Sequence, residues 1–212
     1  MLNPILILIG LTVAISAYAW SNRDLLEAWI MEPYVMARNG QWYRLLTSGF
    51  LHADWSHLLF NMFAFYSFAP TVLNTLAEGY GTGVGLGLFL LLYLGGIVVS
   101  DLPTYFKHRD DRGYRSLGAS GGVASVLFAS ILLFPINRNG GGIIIFPLPF
   151  PIQPFIFGVL YLAYSYYMGR RRADNINHDA HFYGALFGVL LMIVLVPGAL
   201  AHFFQQVGGY RF

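Results

Sequence analysis

The sequence has no cysteine and few charged residues. Without cysteine among its 212 residues, the chain can form neither a disulfide framework nor a thiolate metal site. Charged side chains make up 10% of the chain and the formal net charge is +2, which gives no argument for an acidic partner and makes nucleic-acid binding a poor prediction. Any nucleophile must therefore be something other than a thiolate.

Apolar residues dominate what remains. The chain is 57% hydrophobic with 18 phenylalanines and a mean hydropathy of +0.59, a composition typical of a multi-pass membrane protein. About 20 apolar residues cross a bilayer as a helix. Six charge-poor stretches can be drawn: Pro4–Trp20, Trp55–Leu76, Gly83–Ser100, Leu117–Phe134, Pro154–Met168 and Ala180–Leu200. We therefore predict an all-α membrane protein, a bundle of six transmembrane helices forming a single domain over residues 1–212.

The first connection, Ser21–Asp54, is long and mixes charges with aromatic residues such as Trp29 and Trp42. Amphipathic aromatic side chains settle at the membrane–water interface. We therefore expect a membrane-associated loop that contains short helices.

Basic residues are distributed unevenly among the connections. The first, third and fifth hold ten of the twelve Lys and Arg residues: Arg23, Arg38, Arg44, Lys107, Arg109, Arg112, Arg115, Arg170, Arg171 and Arg172. The positive-inside rule would place that face in the cytoplasm. Acidic residues crowd the same connections, so residue counts alone leave the orientation open.

Ser120 is the first candidate for chemistry. It lies between Gly118 and Gly121 at the start of the fourth stretch, where the backbone can approach a ligand closely and the Ser120 N–H can stay free at a helix N-terminus. That arrangement favours an anion beside the hydroxyl. The alternative is helix packing, because small residues at four-residue spacing are common between membrane helices.

His181 is the second candidate, near the start of the sixth stretch. Ala180, Gly184 and Gly188 form a stripe of small residues along that helix, and smooth helices pack with their backbones close together. Contact with the glycine-rich fourth stretch would bring the imidazole to Ser120. The alternative is a histidine that only forms structural hydrogen bonds.

His57 and Asn61 form the third group. They are four residues apart, on one face at the start of the second stretch. Their side chains could donate hydrogen bonds to an oxyanion together with the Ser120 N–H. Interhelical hydrogen bonding is an equally simple interpretation.

Histidines at one membrane face allow a different hypothesis, a transporter or metal site. His52, His57, His178 and His181 would be its ligands. Their spacing matches no recognisable metal motif. We expect neither a metal nor a cofactor.

Taken together, these residues resemble the rhomboid intramembrane serine proteases. The matching motifs, in order along the chain, are H-x-x-x-N at His57 and Asn61, G-x-S-G at Gly118, Ser120 and Gly121, and A-H-x-x-G-x-x-x-G at Ala180, His181, Gly184 and Gly188. The resemblance covers essentially the whole chain.

What the resemblance implies is a Ser–His dyad without a third acidic member. Ser120 would be the nucleophile and His181 the general base and then acid, while His57, Asn61 and backbone N–H groups around Gly118 would form the oxyanion hole. The substrates would be single-span membrane proteins. The protein would lie in the cell (inner) membrane, in contact with lipid, with its active-site face outside the cytoplasm.

The chain departs from the family pattern at a few places. Tyr43 precedes Arg44 where the family has a Trp-Arg pair, and Ala124 stands where some members have a tyrosine that stacks on the catalytic imidazole. His181 must then be oriented by Tyr183 or by an aromatic residue of another span. Asp179, two residues from His181, faces elsewhere on a helix and is set aside as a triad acid. An inactive rhomboid-like protein that binds membrane clients remains the alternative function.

Overall fold

The computed structural model describes residues 3–137, 141–144, 150–171 and 176–211. In these ranges the chain forms ten α-helices, joined by turns and two isolated β-bridges: α1 Pro4–Ser21, α2 Arg23–Trp29, α3 Pro33–Asn39, α4 Arg44–Thr47, α5 Trp55–Tyr80, α6 Thr82–His108, α7 Ser120–Leu133, α8 Pro154–Arg171, α9 His178–Leu195 and α10 Ala199–Gly208. The all-α prediction is confirmed for the described residues.

Three of the described helices are long and apolar enough to cross a membrane, namely α1, α6 and α9, and α7 is a shorter apolar helix. The second and fifth predicted stretches also form helices, α5 and α8. The count of six spans and the single-domain organisation stay predictions. Arg172, counted above with the fifth connection, lies outside the described residues.

The first connection contains short helices, as expected. Asn22 caps α2, because its side-chain oxygen accepts a hydrogen bond from the Leu25 N–H at 2.9 Å. Two further short helices, α3 and α4, follow, and a 3₁₀ turn over Ser48–Phe50 leads towards α5. The association of this connection with a membrane stays a prediction.

The sixth predicted stretch, Ala180–Leu200, is wrong as a single helix. The structure ends α9 at Leu195 and begins α10 at Ala199, with Gly198 between them in the left-handed conformation at φ 85°. Pro197 explains the break, because proline has no backbone N–H and its ring clashes with the preceding helical turn.

Helix α7 is the centre of the bundle. Every residue from Gly121 to Leu133 is buried, and the helix packs against α5, α6 and α9. Aromatic side chains fill the neighbouring space between α5 and α6, where the Phe65 and Tyr93 ring centroids are 4.3 Å apart. The half-buried Ser120 therefore begins a helix that the rest of the fold holds on several sides.

Candidate active site

Ser120 is the first residue of α7, and the turn before it is held from two directions. The Gly118 N–H donates to the Ser48 carbonyl oxygen at 3.0 Å, and the Ala119 N–H points at His52 Nε2 at 3.5 Å. The first N–H groups of a helix have no acceptor within the helix. Ser120, as the first residue of α7, thus lies beside backbone N–H donors that can stabilise a developing negative charge.

Helices α7 and α9 cross with their backbones in contact. A methyl group added at Gly184 would overlap the Gly121 carbonyl oxygen, and one at Gly188 would overlap that of Ser125. The crossing therefore uses the Gly121 and Ser125 face of α7. Gly122, on another face, instead lies against the Tyr93 carbonyl oxygen of α6.

This crossing brings the two dyad candidates to the same place in the fold. Ser120 directly precedes Gly121, and His181 lies one helical turn before Gly184 on α9. Ala180 also faces Gly121, because its carbonyl oxygen would lie 3.5 Å from a methyl group there. Both Ser120 and His181 are half-buried.

His181 stacks against a tyrosine of another helix. The His181 and Tyr161 ring centroids are 6.0 Å apart with an angle of 27° between the planes, and Tyr161 belongs to α8. His178 meets the same imidazole edge-on at 5.8 Å. Tyr183, the other residue considered for orienting His181, contacts Phe182. An aromatic residue of another helix thus stacks on His181. The position one turn after Ser120 carries only Ala124.

Asp179 points to a different partner. Its Oδ2 lies 2.5 Å from Lys107 Nζ near the end of α6. The carboxylate is thus occupied by a surface lysine, in agreement with setting Asp179 aside as a triad acid.

His57 lies beside the turn that precedes Ser120. Asp54 caps α5 by accepting the His57 N–H at 2.8 Å, which places His57 in the first helical turn. A Cβ atom at Gly118 would be 2.8 Å from His57 Cε1, and Gly118 has a φ of +128°. Asn61 is buried, and its Nδ2 donates to the His57 carbonyl oxygen at 2.9 Å.

Gly118 itself contributes space rather than a donor. Its N–H is already bonded to Ser48, so the expectation that Gly118 supplies an oxyanion hydrogen bond needs correction. What only glycine supplies there is the positive φ and the missing Cβ that lets the His57 ring approach.

His52 is a residue that motif reasoning treated only as a possible metal ligand. It is 1% exposed, and its Nδ1 lies 3.0 Å from Ser16 Oγ. Since the Ser16 hydroxyl donates its one proton to the Phe50 carbonyl oxygen, we assign the imidazole proton to Nδ1, which leaves Nε2 as the acceptor for Ala119.

The environment keeps His52 neutral. The pKa of His52 is lowered to about 3, chiefly by burial and also by the neighbouring His57, while Asp54 opposes the shift. The ring centroids of His52 and His57 are 4.9 Å apart. The only feature of the sequence that pointed to His52 was its spacing of five residues from His57. That spacing does not reveal the contacts of His52 with Ser16 or Ala119.

Arg44 holds the first connection together. It is 6% exposed, and its Nη1 donates to the carbonyl oxygens of Glu27 and Ile30, both at 2.7 Å. Its Nε donates to Gln41 Oε1 at 2.6 Å. The arginine of the altered pair is therefore structural, and the change to Tyr43 leaves these bonds in place.

The hypothesis of a histidine metal site finds two separate pairs in the structure. His52 contacts His57, and His178 contacts His181. Within the described ranges, no group of three or more His, Asp or Glu side chains is placed to hold a metal ion.

Comparison with known proteins identifies the class. Residues 39–198 match the Rhomboid domain family model, and the chain belongs to the rhomboid family of membrane proteins. It is 31% identical to the Bacillus subtilis protein named "Putative rhomboid protease YdcA" over 165 residues, which are 74% of this chain and 69% of that protein.

Other relatives are longer than this chain. The zebrafish presenilin-associated rhomboid-like protein A, mitochondrial, is 32% identical over 148 residues, which cover 68% of this chain and 35% of that protein. The Bacillus subtilis rhomboid protease GluP is 30% identical over 119 residues, which cover 56% of this chain and 21% of GluP. Proteases thus occur among the relatives beside proteins named only as rhomboid-like.

Proposed function

We propose that this protein is an intramembrane serine endopeptidase that uses a Ser120–His181 dyad. The observation that most supports the proposal is the contact of Gly184 with the Gly121 carbonyl oxygen, because Ser120 adjoins Gly121 and His181 lies one helical turn before Gly184. Membership of a family that includes named proteases supports the same reaction.

The proposed chemistry divides peptide hydrolysis into two acyl transfers. The Ser120 Oγ attacks the substrate carbonyl carbon while the His181 imidazole accepts the hydroxyl proton. The imidazolium then protonates the leaving amine as the C–N bond breaks, which leaves an ester on Ser120. Water, deprotonated by His181, attacks that ester, and the proton returns to the Ser120 oxygen as the acid leaves.

The oxyanion would form next to the start of α7. The Ser120 N–H, the His57 imidazole and the Asn61 side chain are the proposed donors, and loss of one such donor typically costs about 10²- to 10³-fold in rate. Gly118 supports this arrangement through its positive φ and its missing Cβ, which leave room for the His57 ring. Tyr161 fixes the plane of the His181 ring, which keeps the base oriented without a carboxylate.

The membrane context follows the family. We propose that α1, α5, α6, α7, α8 and α9 span the bilayer, and that single-span membrane proteins are the substrates. The site would face the extracytoplasmic side of the cell membrane. Ser120, His57 and His181 all lie in the first turns of their helices, where water from the loop face can reach an acyl-enzyme.

Cleavage of a single-span substrate in proteoliposomes tests the proposal. Ser120→Ala and His181→Ala should each abolish cleavage, because the nucleophile or its base is lost. The exposed residues Ser67 and His202 provide matched controls, and Ser67→Ala and His202→Ala should leave the rate unchanged. Cleavage retained by both dyad variants would contradict the proposal.

The second candidate function is client binding without catalysis, since some relatives are named only as rhomboid-like. It predicts that Ser120→Ala binds clients as the wild type does and that neither protein cleaves them. The same assay separates the two functions, because only the protease gives a product that depends on Ser120.

A further inference from the structure

A buried polar cluster links the end of α6 to the start of α9. Asp101 is 7% exposed and Thr104 is 1% exposed, and both face Asn177, the N-cap residue of α9. Asn177 Nδ2 lies 3.2 Å from Asp101 Oδ1 and 3.3 Å from Ser116 Oγ. The cluster therefore joins α6, the turn before α7 and α9.

The hydrogen bonds fix the orientation of the Asn177 side chain. Its Oδ1 accepts the Ala180 N–H at 3.1 Å and the Thr104 hydroxyl at 3.1 Å. A backbone N–H can only donate, so the oxygen must be the atom that faces Ala180, and the NH₂ group must face Asp101. Asp101 thus accepts a hydrogen bond from the Asn177 amide. A residue without an acceptor atom could not take its place.

This cap is directly connected to the proposed base. The Asn177 carbonyl oxygen accepts the His181 N–H at 3.3 Å, so a shift of Asn177 moves the first turn of α9. Carboxyl groups within the apolar part of a membrane protein are costly and are kept mainly where they serve function.

The same turn of α6 also contacts α7. A methyl group at Gly121 would overlap Ser100 Oγ, and Ser100 is the residue before Asp101. One turn of α6 therefore touches α7 next to Ser120 and holds the cap of α9 that precedes His181.

We infer that Asp101 is a positioning residue: through Asn177 it sets the register of α9 so that the His181 imidazole meets the Ser120 hydroxyl. The inference rests on the proposed protease function. It differs from simple helix capping, because aspartate caps a helix as well as asparagine does, whereas only an amide can donate to Asp101.

Exchange of the two side chains tests the inference. Asn177→Asp keeps the cap but sets two carboxyl groups against each other, and kcat should fall about 10- to 100-fold with KM unchanged, the loss typical of a base displaced by about 1 Å. The double variant Asp101→Asn/Asn177→Asp restores one amide and one carboxyl group and should recover most of the lost kcat. Asp101→Asn alone should lower kcat less, since amide groups can partly re-pair.

The controls distinguish a loss of kcat caused by a displaced His181 from a loss caused by misfolding, and from the absence of protease activity altogether. Asp110→Asn, at a side chain that is 82% exposed, should retain wild-type kcat. Wild-type kcat in Asn177→Asp, or a double variant no more active than its single parents, would overturn the inference. If Asn177→Asp does not fold, comparison of the double variant with Asp101→Asn decides. A wild-type protein that cleaves no faster than Ser120→Ala would instead refute the proposed function.

Discussion

Gly118 and His52 fix the backbone on the N-terminal side of Ser120. Gly118 provides a φ of +128° and room for the His57 ring, and His52 accepts the Ala119 N–H from a buried position. Neither residue is expected to react with substrate. Both residues instead help to set the position of Ser120 and of the N–H groups next to it.

We predict that Gly118→Ala lowers the cleavage rate by at least about tenfold. The added Cβ would lie 2.8 Å from His57 Cε1, and a strained backbone of this kind costs about 1–3 kcal/mol. Gly40 is the matched control, because it also has a positive φ, +66°, but has open space around it. Equal loss of activity in Gly40→Ala and Gly118→Ala would contradict a role for the His57 contact.

His52 predicts a pH dependence of stability. Its pKa of about 3 in the folded protein lies below the ordinary value of 6.5, so the unfolded chain binds the proton more readily. Its contribution is therefore complete above pH 6.5 and is lost as the pH falls from 6.5 towards 3, by up to about 1.4 kcal/mol per pH unit.

Unfolding in detergent between pH 7 and pH 4 measures this effect. His52→Gln keeps an acceptor for the Ala119 N–H but cannot be protonated in this range. It should show a flatter dependence of the free energy of unfolding on pH than the wild type. Equal slopes in the two proteins would contradict the assignment.

Motifs selected Ser120, His181, His57 and Asn61 because reactive residues with small neighbours recur at fixed spacing. The same reasoning could not find Tyr161 as the partner of His181, since α8 carries several tyrosines and only the packing determines which one faces the imidazole. The bond that holds Gly118 to Ser48 joins residues far apart in sequence and was likewise not predictable.

At the scale of helices, the crossing of α7 and α9 determines the site. The sequence offered two stripes of small residues on α7, and both satisfied the spacing rule. In the structure, the carbonyl oxygens of Gly121 and Ser125 touch α9, whereas the Cβ positions of Gly121 and Gly122 point at α6. This choice depends on how the helix is rotated in the bundle, which a pattern on one helix does not reveal.

We predict that Gly184→Ala separates α7 from α9 and abolishes most of the activity. Its methyl group would overlap the Gly121 carbonyl oxygen, and overpacking of this kind costs about 1–3 kcal/mol. Gly87→Ala in α6 is the control, because nothing lies within 4 Å of a Cβ atom there. Cleavage rates and unfolding temperatures of the two variants should differ; equal values would contradict the close crossing.

Helix ends were predicted less well than helix positions. The third stretch was drawn to Ser100 because Asp101 carries a charge, whereas α6 continues to His108. Asp101 is accommodated by the Asn177 amide, a long-range contact that hydropathy does not register.

For the whole molecule, the distribution of charge bears on orientation. The face formed by the first, third and fifth connections, here called the site face, carries most of the basic residues. Several of them are paired locally, such as Arg115 with Glu27 and Arg38 with Asp110. Arg44 is buried among carbonyl oxygens. Much of the positive charge on this face is therefore compensated within the fold, and our proposal keeps the site face outside the cytoplasm.

Labelling of single cysteines tests this orientation, since the chain has none of its own. Arg171 and Gln205 are exposed. Arg171 ends α8, whereas Gln205 lies near Gln153 just before α8, so the two positions are at opposite ends of that helix. An impermeant thiol reagent added to intact cells should label Arg171→Cys but label Gln205→Cys only after the membrane is disrupted. The reverse pattern would place the site in the cytoplasm.

If Ser120 is a nucleophile activated by His181, a covalent inhibitor must react at Ser120 and depend on His181. A fluorophosphonate should modify wild-type protein at Ser120, as located by mass spectrometry of the peptide. Ser120→Ala should carry no adduct, and His181→Ala should react far more slowly. Modification at another residue, or an unchanged rate in His181→Ala, would refute the Ser120–His181 dyad.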